Sequence, residues 1–203
     1  MGVKGDEFPL WGTGRSPVLV KKGKFMNILA DGKRVYLRVA EESDIDTIMK
    51  WETDEENLKF IVPFSREDHL NVIKNPKTAM DIMIIEKEGD NPIGYFWIQG
   101  LELDSKEIEW THIVIEKKGQ GFGHEAMKLI KRYTFETLKA HRGWMDSKDY
   151  NERALHLYES EGLQREGLIR ETLFINGVYE NLVVLGILDR EYFDRKNQGL
   201  ENM

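Results

Sequence analysis

A glycine-rich segment, Gly119-Gln120-Gly121-Phe122-Gly123, constrains the fold of this chain more than any other feature. Residues 108–115 before it are mostly apolar, which predicts a strand buried on both faces. Residues 124–138 after it carry apolar side chains at helical spacing, which predicts an amphipathic helix. Glycines let a backbone approach a ligand closely, and the first amide groups of a helix point outward with the positive end of its dipole. This order predicts a phosphate-binding site, although a tight turn alone would use glycines in the same way.

Two other phosphate-binding motifs do not fit this segment. A Walker loop ends in Gly-Lys-Ser or Gly-Lys-Thr, whereas His124 follows Gly123 here. A dinucleotide fingerprint has the spacing G-x-G-x-x-G, lies early in a repeated βαβ unit and is followed by an acidic residue about 20 positions later. The segment instead has the spacing G-x-G-x-G and follows a predicted antiparallel hairpin. Both nucleotide-binding classes are therefore excluded.

The remaining pattern predicts one α/β domain. Apolar alternation marks strands, 3.6-residue periodicity marks helices, and Asn176-Gly177 is the strongest short hairpin signal that a sequence can carry. Ser65 and Asp68 form a capping pair. The predicted order is a strand at 34–39, helices at 43–51 and 65–74, strands at 80–86, 93–98 and 108–115, a helix at 124–138, a strand at 144–147, a helix at 151–161 and strands at 168–175 and 179–188. We expect a mixed, mostly antiparallel twisted sheet flanked by helices.

The ends of the chain differ from this domain. Glycines and prolines interrupt any period in residues 1–26, which we interpret as an N-terminal extension, native or left from expression. Residues 18–20 could form a short strand within it. The predicted domain spans residues 27–195, and residues 196–203 form a C-terminal tail.

Composition excludes several classes of function. The absence of cysteine excludes disulfides, zinc–thiolate sites and a cysteine nucleophile, and it favours a cytoplasmic location. No apolar run approaches the roughly 18 residues that span a membrane, and the five histidines lack metal-ligand spacing. A formal net charge of −7 argues against nucleic acid as a partner. An acidic body suits a cationic substrate, although it also keeps a protein soluble.

Two segments resemble the motifs of one enzyme family. Lys118 and the glycines after it are similar to the Arg/Gln-x-x-Gly-x-Gly/Ala signature of GNAT N-acetyltransferases, with lysine in the first position. The segment NERALHLYESEGL at residues 151–163 is similar to the later motif N-x-x-A-x-x-x-Y-x-x-x-G-F of the same family. The resemblance covers residues 33–190, and residues 166–179 are similar to the branch of ribosomal-protein N-terminal and spermidine acetyltransferases. It implies a single GNAT-type domain.

The resemblance also implies a cofactor site for acetyl-CoA, which is a co-substrate, and no metal. The pyrophosphate would lie on the backbone amides of the glycine-rich segment. The pantetheine arm would add like a strand to the end of residues 108–115. Lys118 would supply a cation, without the bidentate fork that arginine offers. The residues implied in cofactor binding are Ile113, Val114, Ile115, Lys118, Gly119, Gln120, Gly121, Phe122, Gly123, Asn151 and Ala154.

Two residues are implied in catalysis. Tyr158 would protonate the leaving thiolate, although an aromatic residue on an amphipathic helix can also belong to the core. Glu109 would take a proton from the amine, although an ordinary ion pair would also explain it. His112 has a suitable intrinsic pKa, yet a lone histidine in a strand is more often a hydrogen-bonded core residue. Trp51, Phe60, Phe64 and Trp97 could line the acceptor pocket or belong to the core.

These features together predict an acyltransferase that moves the acetyl group of acetyl-CoA to a primary amine by direct transfer. The acceptor would be a polyamine, a protein N-terminus or another small amine. The alternative is an acyl-CoA-binding sensor or scaffold with little turnover. We expect no nucleic-acid or membrane partner, and the oligomeric state stays open, although members of the resembled family often pair as homodimers.

Overall fold

The computed structural model describes the backbone of residues 18–21 and 24–202 and the side chains of residues 27–202. The strands in this part of the chain are β1 (Val18–Lys21), β2 (Lys24–Asp31), β3 (Val35–Val39), β4 (Ala79–Glu86), β5 (Asn91–Gln99), β6 (Glu107–Ile115), β7 (Arg142–Lys148), β8 (Gln164–Ile175) and β9 (Val178–Leu188). They form one sheet in the order β1-β2-β3-β4-β5-β6-β7-β9-β8. The pair β6 and β7 is parallel, and the other neighbouring strands are antiparallel.

In the described part of the chain, six α-helices flank the sheet: α1 (Ile45–Glu52), α2 (Glu55–Leu58), α3 (Arg66–Lys74), α4 (Phe122–Arg132), α5 (Glu152–Ser160) and α6 (Asp189–Asn197). A 3₁₀ turn precedes α1, and a π-helical turn, Tyr133–Thr137, follows α4. Ser65 and Asp68 form the predicted capping box at the start of α3. None of the helices in the described residues has both the length and the apolar character needed to cross a membrane.

Each face of the sheet carries its own apolar core. On one face, α4 contributes Ala126, Met127, Leu129 and Ile130, all fully buried against the central strands. On the other face, Ile48 and Trp51 of α1 pack with Tyr95 and Trp97 of β5. Burial of large apolar side chains on both faces stabilises the sheet, and the cleft between β6 and β7 interrupts this packing.

The strand β6 carries a β-bulge at Thr111. Trp97 of β5 pairs with His112, whereas the next residue, Ile98, pairs with Trp110. The extra residue reverses the alternation of side chains beyond it. Gln99 and Trp97 lie on one face of β5, so their partners Glu109 and His112 also share a face. Without the bulge, these two side chains would point to opposite faces.

The parallel pair of β6 and β7 is short. The two strands are paired from Glu107 opposite Arg142 to Glu109 opposite Trp144, and the pairing ends there. Residues 110–115 of β6 are therefore not paired with β7, and a cleft lies between these parts of the two strands. The prediction that this strand is buried on both faces is confirmed only in part. Ile108 and Trp110 belong to one core and Val114 to the other, whereas the side chains of Glu109, Thr111, Ile113 and Ile115 are half-buried and line the cleft.

The predicted fold class is confirmed: the domain is α/β, with a mixed and mostly antiparallel sheet flanked by helices. The strand expected at 18–20 is present as β1, while β2, α2 and α6 had not been predicted. The helix expected at 124–138 begins two residues earlier, at Phe122. The proposed boundary between residues 26 and 27 lies inside β2, and Glu201 of the proposed tail forms an ion pair with Lys131. The division into extension, domain and tail stays a prediction.

Candidate active site

A cavity of about 620 Å³ lies in the cleft between β6 and β7 and extends to the glycine-rich segment. We call the end at this segment the glycine end, and the end at Glu109 and Asp146 the acceptor end. Most of the residues predicted for the site line this one cavity: Glu109, Ile113, Val114, Ile115, Lys118, Gly119, Gly121, Gly123, Asn151, Ala154 and Tyr158. Gln120 and Phe122 are not among the lining residues.

The glycine end is contacted by Arg34, the residue that precedes β3. Gly119 and Gly121 have positive φ angles of 76° and 79°, and Gly121 is the N-cap residue of α4. A side chain at position 119 would meet no atom within 4 Å, so space is open above this backbone. Arg34 donates a hydrogen bond to the backbone oxygen of Gln120 at 2.9 Å, and its guanidinium lies 4.4 Å from the ring centre of Phe122. The side chain of Phe122 is therefore part of the core, and only its backbone can face a ligand.

Cationic side chains surround the glycine end. Lys118 donates a hydrogen bond through Nζ to Asn57 Oδ1 at 3.0 Å, and Lys117 forms an ion pair with Glu86 at 2.6 Å. Arg153, at the start of α5, also lines the cavity. Sequence reasoning missed Lys117 and Arg153, although both lie inside or beside the motifs that it had singled out.

Helix α5 brings two predicted residues to the cavity. Asn151 is its N-cap and accepts a hydrogen bond from the amide of Ala154 at 3.4 Å. Tyr158 is 7% exposed and lines the cavity beside the apolar core. Burial raises the pKa of Tyr158 far above its ordinary value, while the charge of Arg153 acts in the opposite direction and that of Asp146 adds a smaller increase. The phenol therefore keeps its proton at neutral pH and can serve as a donor.

The acceptor end carries two carboxylates. Glu109 accepts a hydrogen bond from Gln99 Nε2 at 2.6 Å. Asp146 of β7 lines the same part of the cavity, and its pKa is raised, first by burial and then by the charge of Glu109, while His112 acts in the opposite direction. Sequence reasoning missed Asp146. An acidic residue in a short buried strand was the available signal, since a carboxylate in such a place needs a partner or a function.

His112 belongs both to the core and to the cavity. Its Nδ1 lies 2.8 Å from Glu52 Oε1, and Glu52 is fully buried. The oxygen Oε1 also accepts a hydrogen bond from Tyr95, and Oε2 accepts one from the amide of Phe64 at 3.0 Å. The interpretation of His112 as a hydrogen-bonded residue is therefore confirmed, yet His112 also lines the cavity. Glu52 was not predicted, because it lies 60 positions away from its partner.

The four aromatic residues considered for the acceptor pocket do not all line the cavity. Phe60 lines the cavity. Trp51 and Trp97 are buried in the core, with 4% and 5% exposure. Phe64 stacks on Trp97 with ring centres 4.1 Å apart and contacts the ring of His112 at 4.6 Å.

A second cavity of about 420 Å³ begins where the first one ends. Glu109 lines both cavities, and Glu102 and Glu107 join it in the second, beside Trp144. The second cavity beyond Glu109 is thus lined by glutamates, and we call it the acidic path. Within residues 24–202, no group of histidine, aspartate and glutamate side chains has the arrangement of a metal site.

Comparison with known proteins identifies the family. The model of the acetyltransferase (GNAT) domain matches residues 34–164. A spermidine N(1)-acetyltransferase of Vibrio cholerae is 27% identical over 165 residues, which cover 78% of this chain and 95% of that protein. A Bacillus subtilis protein named as a ribosomal N-acetyltransferase is 31% identical over 84 residues, or 41% of this chain and 46% of the relative.

The fold agrees with this result. The crystal structure of spermidine N-acetyltransferase from Vibrio cholerae, in complex with CoA and spermine, superimposes with a TM-score of 0.72 at 24% identity and covers 79% of this chain and 98% of that one. The resemblance seen in the two sequence motifs is thereby confirmed. The chain belongs to the GNAT acetyltransferase family.

Proposed function

We propose that this acetyltransferase takes its acetyl group from acetyl-CoA and transfers it directly to a primary amine. The observation that carries the proposal is the single cavity, which joins the glycine end to Tyr158 and Glu109. Acetyl-CoA supplies an activated thioester when it is bound. Holding both substrates in one cavity makes the attack of the amine effectively intramolecular, which lowers its barrier.

The residues at the glycine end fit a pyrophosphate and a pantetheine arm. The open space above Gly119 lets a phosphate approach the backbone amides between Gly119 and Gly123. The edge of β6 at residues 113–115 is separated from β7, so its backbone groups can pair with the amides of the pantetheine arm. Lys118 offers a cation, and Asn151 and Ala154 lie beside the arm. These roles agree with the residues that line the cavity.

The acceptor end fits an amine. An amine enters as an ammonium ion at neutral pH, and Glu109 and Asp146 offer it two carboxylates. Bringing a cation between them also offsets the repulsion from Glu109, which adds to burial in raising the pKa of Asp146. Glu109 takes the first proton, which frees the lone pair of the nitrogen. Tyr158 gives its proton to the sulfur as the thiolate leaves, a role that suits a buried phenol.

A polyamine fits the acidic path better than an acceptor with a single charge does. The second cavity adds Glu102 and Glu107 beyond Glu109, so further cationic groups on one chain can be neutralised there. The Vibrio relative named for spermidine supports the same class of acceptor. A protein N-terminus or another small amine would use the first cavity alone.

A homodimer and a cytoplasmic location complete the proposal, with no nucleic-acid or membrane partner. The hairpin of β8 and β9 exposes Phe174, Val178 and Tyr179, each at least 60% accessible, and its Leu173 and Leu182 line the cavity. A spermidine acetyltransferase of Vibrio cholerae has been solved as a dodecamer. Exposed apolar groups of this kind suit contact with a second copy. Light scattering coupled to gel filtration measures the mass directly.

A panel of acceptors tests the proposed function. Thiol release from acetyl-CoA is measured with polyamines, peptides with free N-termini and aminoglycosides. We expect amine-dependent release that is fastest with a polyamine. Binding of acetyl-CoA without release, whatever the amine, would support the alternative of an acyl-CoA-binding sensor or scaffold.

A further inference from the structure

His112 stands between the cavity and a buried carboxylate. Its side chain is 8% exposed and lines the cavity, while its Nδ1 lies 2.8 Å from Glu52 Oε1. Glu52 is fully buried on α1, so the contact joins α1 to strand β6 of the sheet. Phe64 covers the ring at 4.6 Å and also donates its amide to Glu52. The ring is therefore held in one orientation.

This contact defines the tautomer of the neutral imidazole. A carboxylate in its ionised form only accepts hydrogen bonds, so next to an ionised Glu52 a neutral His112 carries its proton on Nδ1 and donates it to Oε1. The lone pair then belongs to Nε2. With Nδ1 turned toward Glu52, Nε2 is the ring nitrogen that can meet a substrate in the cavity.

A second buried histidine shows what a purely structural pair looks like. His69 Nδ1 also lies 2.8 Å from a carboxylate, that of Asp81, and both side chains are fully buried. Neither of the two cavities is lined by His69. His112 is also held by a buried carboxylate, but unlike His69 it lines the cavity.

The nitrogen of the amine loses two protons in the transfer reaction, and each loss needs an acceptor. The nitrogen enters with three protons as an ammonium ion and ends with one as a secondary amide, so it loses two. One is lost before the N–C bond forms and one as it forms, while the C–S bond breaks. One of these protons replaces the proton that Tyr158 gives to the sulfur, and the other passes to solvent. Glu109 accounts for the first loss only.

We propose that His112 Nε2 takes the second proton from the attacking nitrogen and that Glu52 is the positioning residue that orients the ring. This inference rests on the proposed function and deepens it. Glu52 of α1 and Tyr95 of β5 face the ring from the core side, Asp146 interacts electrostatically with it, and Glu109 lines the same cavity. The ammonium ion that enters between the two carboxylates thus comes to the side of the ring that carries the lone pair.

Nuclear magnetic resonance of the ligand-free protein tests the tautomer without any variant. Nitrogen-15 shifts distinguish a protonated ring nitrogen from one with a lone pair. We expect a protonated Nδ1 and an unprotonated Nε2 in His112 at a pH where the ring is neutral. The opposite tautomer would overturn the proposal, because Nε2 could not accept a proton.

Chemical rescue tests the catalytic role. His112→Ala should lower kcat about 100-fold, the usual scale for the loss of a general base, and added imidazole should restore at least about a tenth of the lost rate. The matched control is His141→Ala, since His141 is exposed and forms an ion pair with Asp189 outside both cavities. It should keep the kcat of the parent enzyme. Full activity of folded His112→Ala would overturn the proposal, and so would a loss that imidazole does not restore.

A double-mutant cycle tests Glu52. Glu52→Gln keeps an acceptor for Tyr95 and should lower kcat about 10-fold with an unchanged KM for acetyl-CoA. In the His112→Ala background it should add almost nothing, because Glu52 acts through the ring; additive losses would contradict its role. A parent enzyme that is inactive with every amine would contradict the proposed function. An active parent enzyme together with a fully active His112→Ala variant would contradict only the role proposed for His112.

Discussion

The two ends of the cavity are built in different ways. The glycine end uses contiguous residues, from Lys118 to Gly123, whose backbone we propose as the binding surface, together with one helix cap at Asn151. The acceptor end collects Glu109, His112 and Asp146 from two strands, and Glu52 of α1 contacts His112. A site for a common cofactor can thus be encoded locally, whereas a site for a particular acceptor depends on tertiary structure.

The largest effect should come from Tyr158, where the two ends meet. Tyr158→Phe keeps the ring and removes the proton, so kcat should fall on the order of 100-fold, while the melting temperature and the affinity for acetyl-CoA stay unchanged. Tyr133→Phe is the matched control, because Tyr133 is equally buried but lies outside the cavity. Steady-state thiol release measures both variants. Equal rates for the two would leave Tyr158 as a core residue.

The glycine end should respond in affinity. Gly119→Ala places a methyl group in the space open to phosphate, so the Kd for acetyl-CoA should rise at least about 10-fold. Gly177→Ala introduces the same change at a similar φ of 84°, also with no atom within 4 Å, in the distant hairpin turn. The backbone strain that alanine causes at a positive φ angle is therefore similar in the two variants. Calorimetry that finds the same Kd in both variants would argue against a phosphate site at Gly119.

The acceptor end should respond in rate and pH. Glu109→Gln should lower kcat/KM for the amine about 10-fold at neutral pH, and high pH should partly restore it, because the free amine then forms without help. Glu67→Gln, exposed on α3, is the control and should behave like the parent. A loss of the same size at every pH would instead assign Glu109 a role in holding the substrate.

Replacing Asp146 should have the smallest effect on activity, and it should raise the melting temperature. Its pKa is raised in the fold, so the folded chain binds this proton more tightly than the unfolded chain does. The stability that this provides is present below the ordinary pKa of aspartate and is lost as the pH rises through the raised value. Asp146→Asn should therefore melt above the parent at about pH 8, and the difference should shrink toward about pH 4.

The same variant should raise the KM for the amine a few-fold, since one carboxylate of the acceptor end is gone. Melting curves and acceptor titrations on the two proteins check both parts. A lower melting temperature at about pH 8, or an unchanged KM for every amine, would contradict the account of Asp146.

The sequence predicted the glycine end better than the acceptor end, for physical reasons. The order of strand, glycines and helix is a local pattern, and so is the spacing from Asn151 to Tyr158. Hydrophobic periodicity also predicted most elements of the sheet. Strand β2 was missed because glycines and prolines in residues 1–26 obscured its beginning.

The arrangement around His112 could not be predicted in this way. A regular strand would place Glu109 and His112 on opposite faces, and the bulge at Thr111 brings them together. No local pattern of side chains marks a bulge that the pairing with β5 creates. The contact between Glu52 and His112 depends on how α1 packs on the sheet, and Asp146 acquires its raised pKa from the burial and the neighbour that the fold provides.

Direct acetyl transfer between the two ends of the cavity is most sharply tested by the stoichiometry of one reaction. The protein is mixed with acetyl-CoA and spermidine, and free thiol and acetylated polyamine are quantified in the same samples over time. We expect one acetylated amine for each thiol released, at a rate that depends on the polyamine and falls on the order of 100-fold in Tyr158→Phe. Thiol release without acetylated amine, or bound acetyl-CoA that yields neither product, would contradict it.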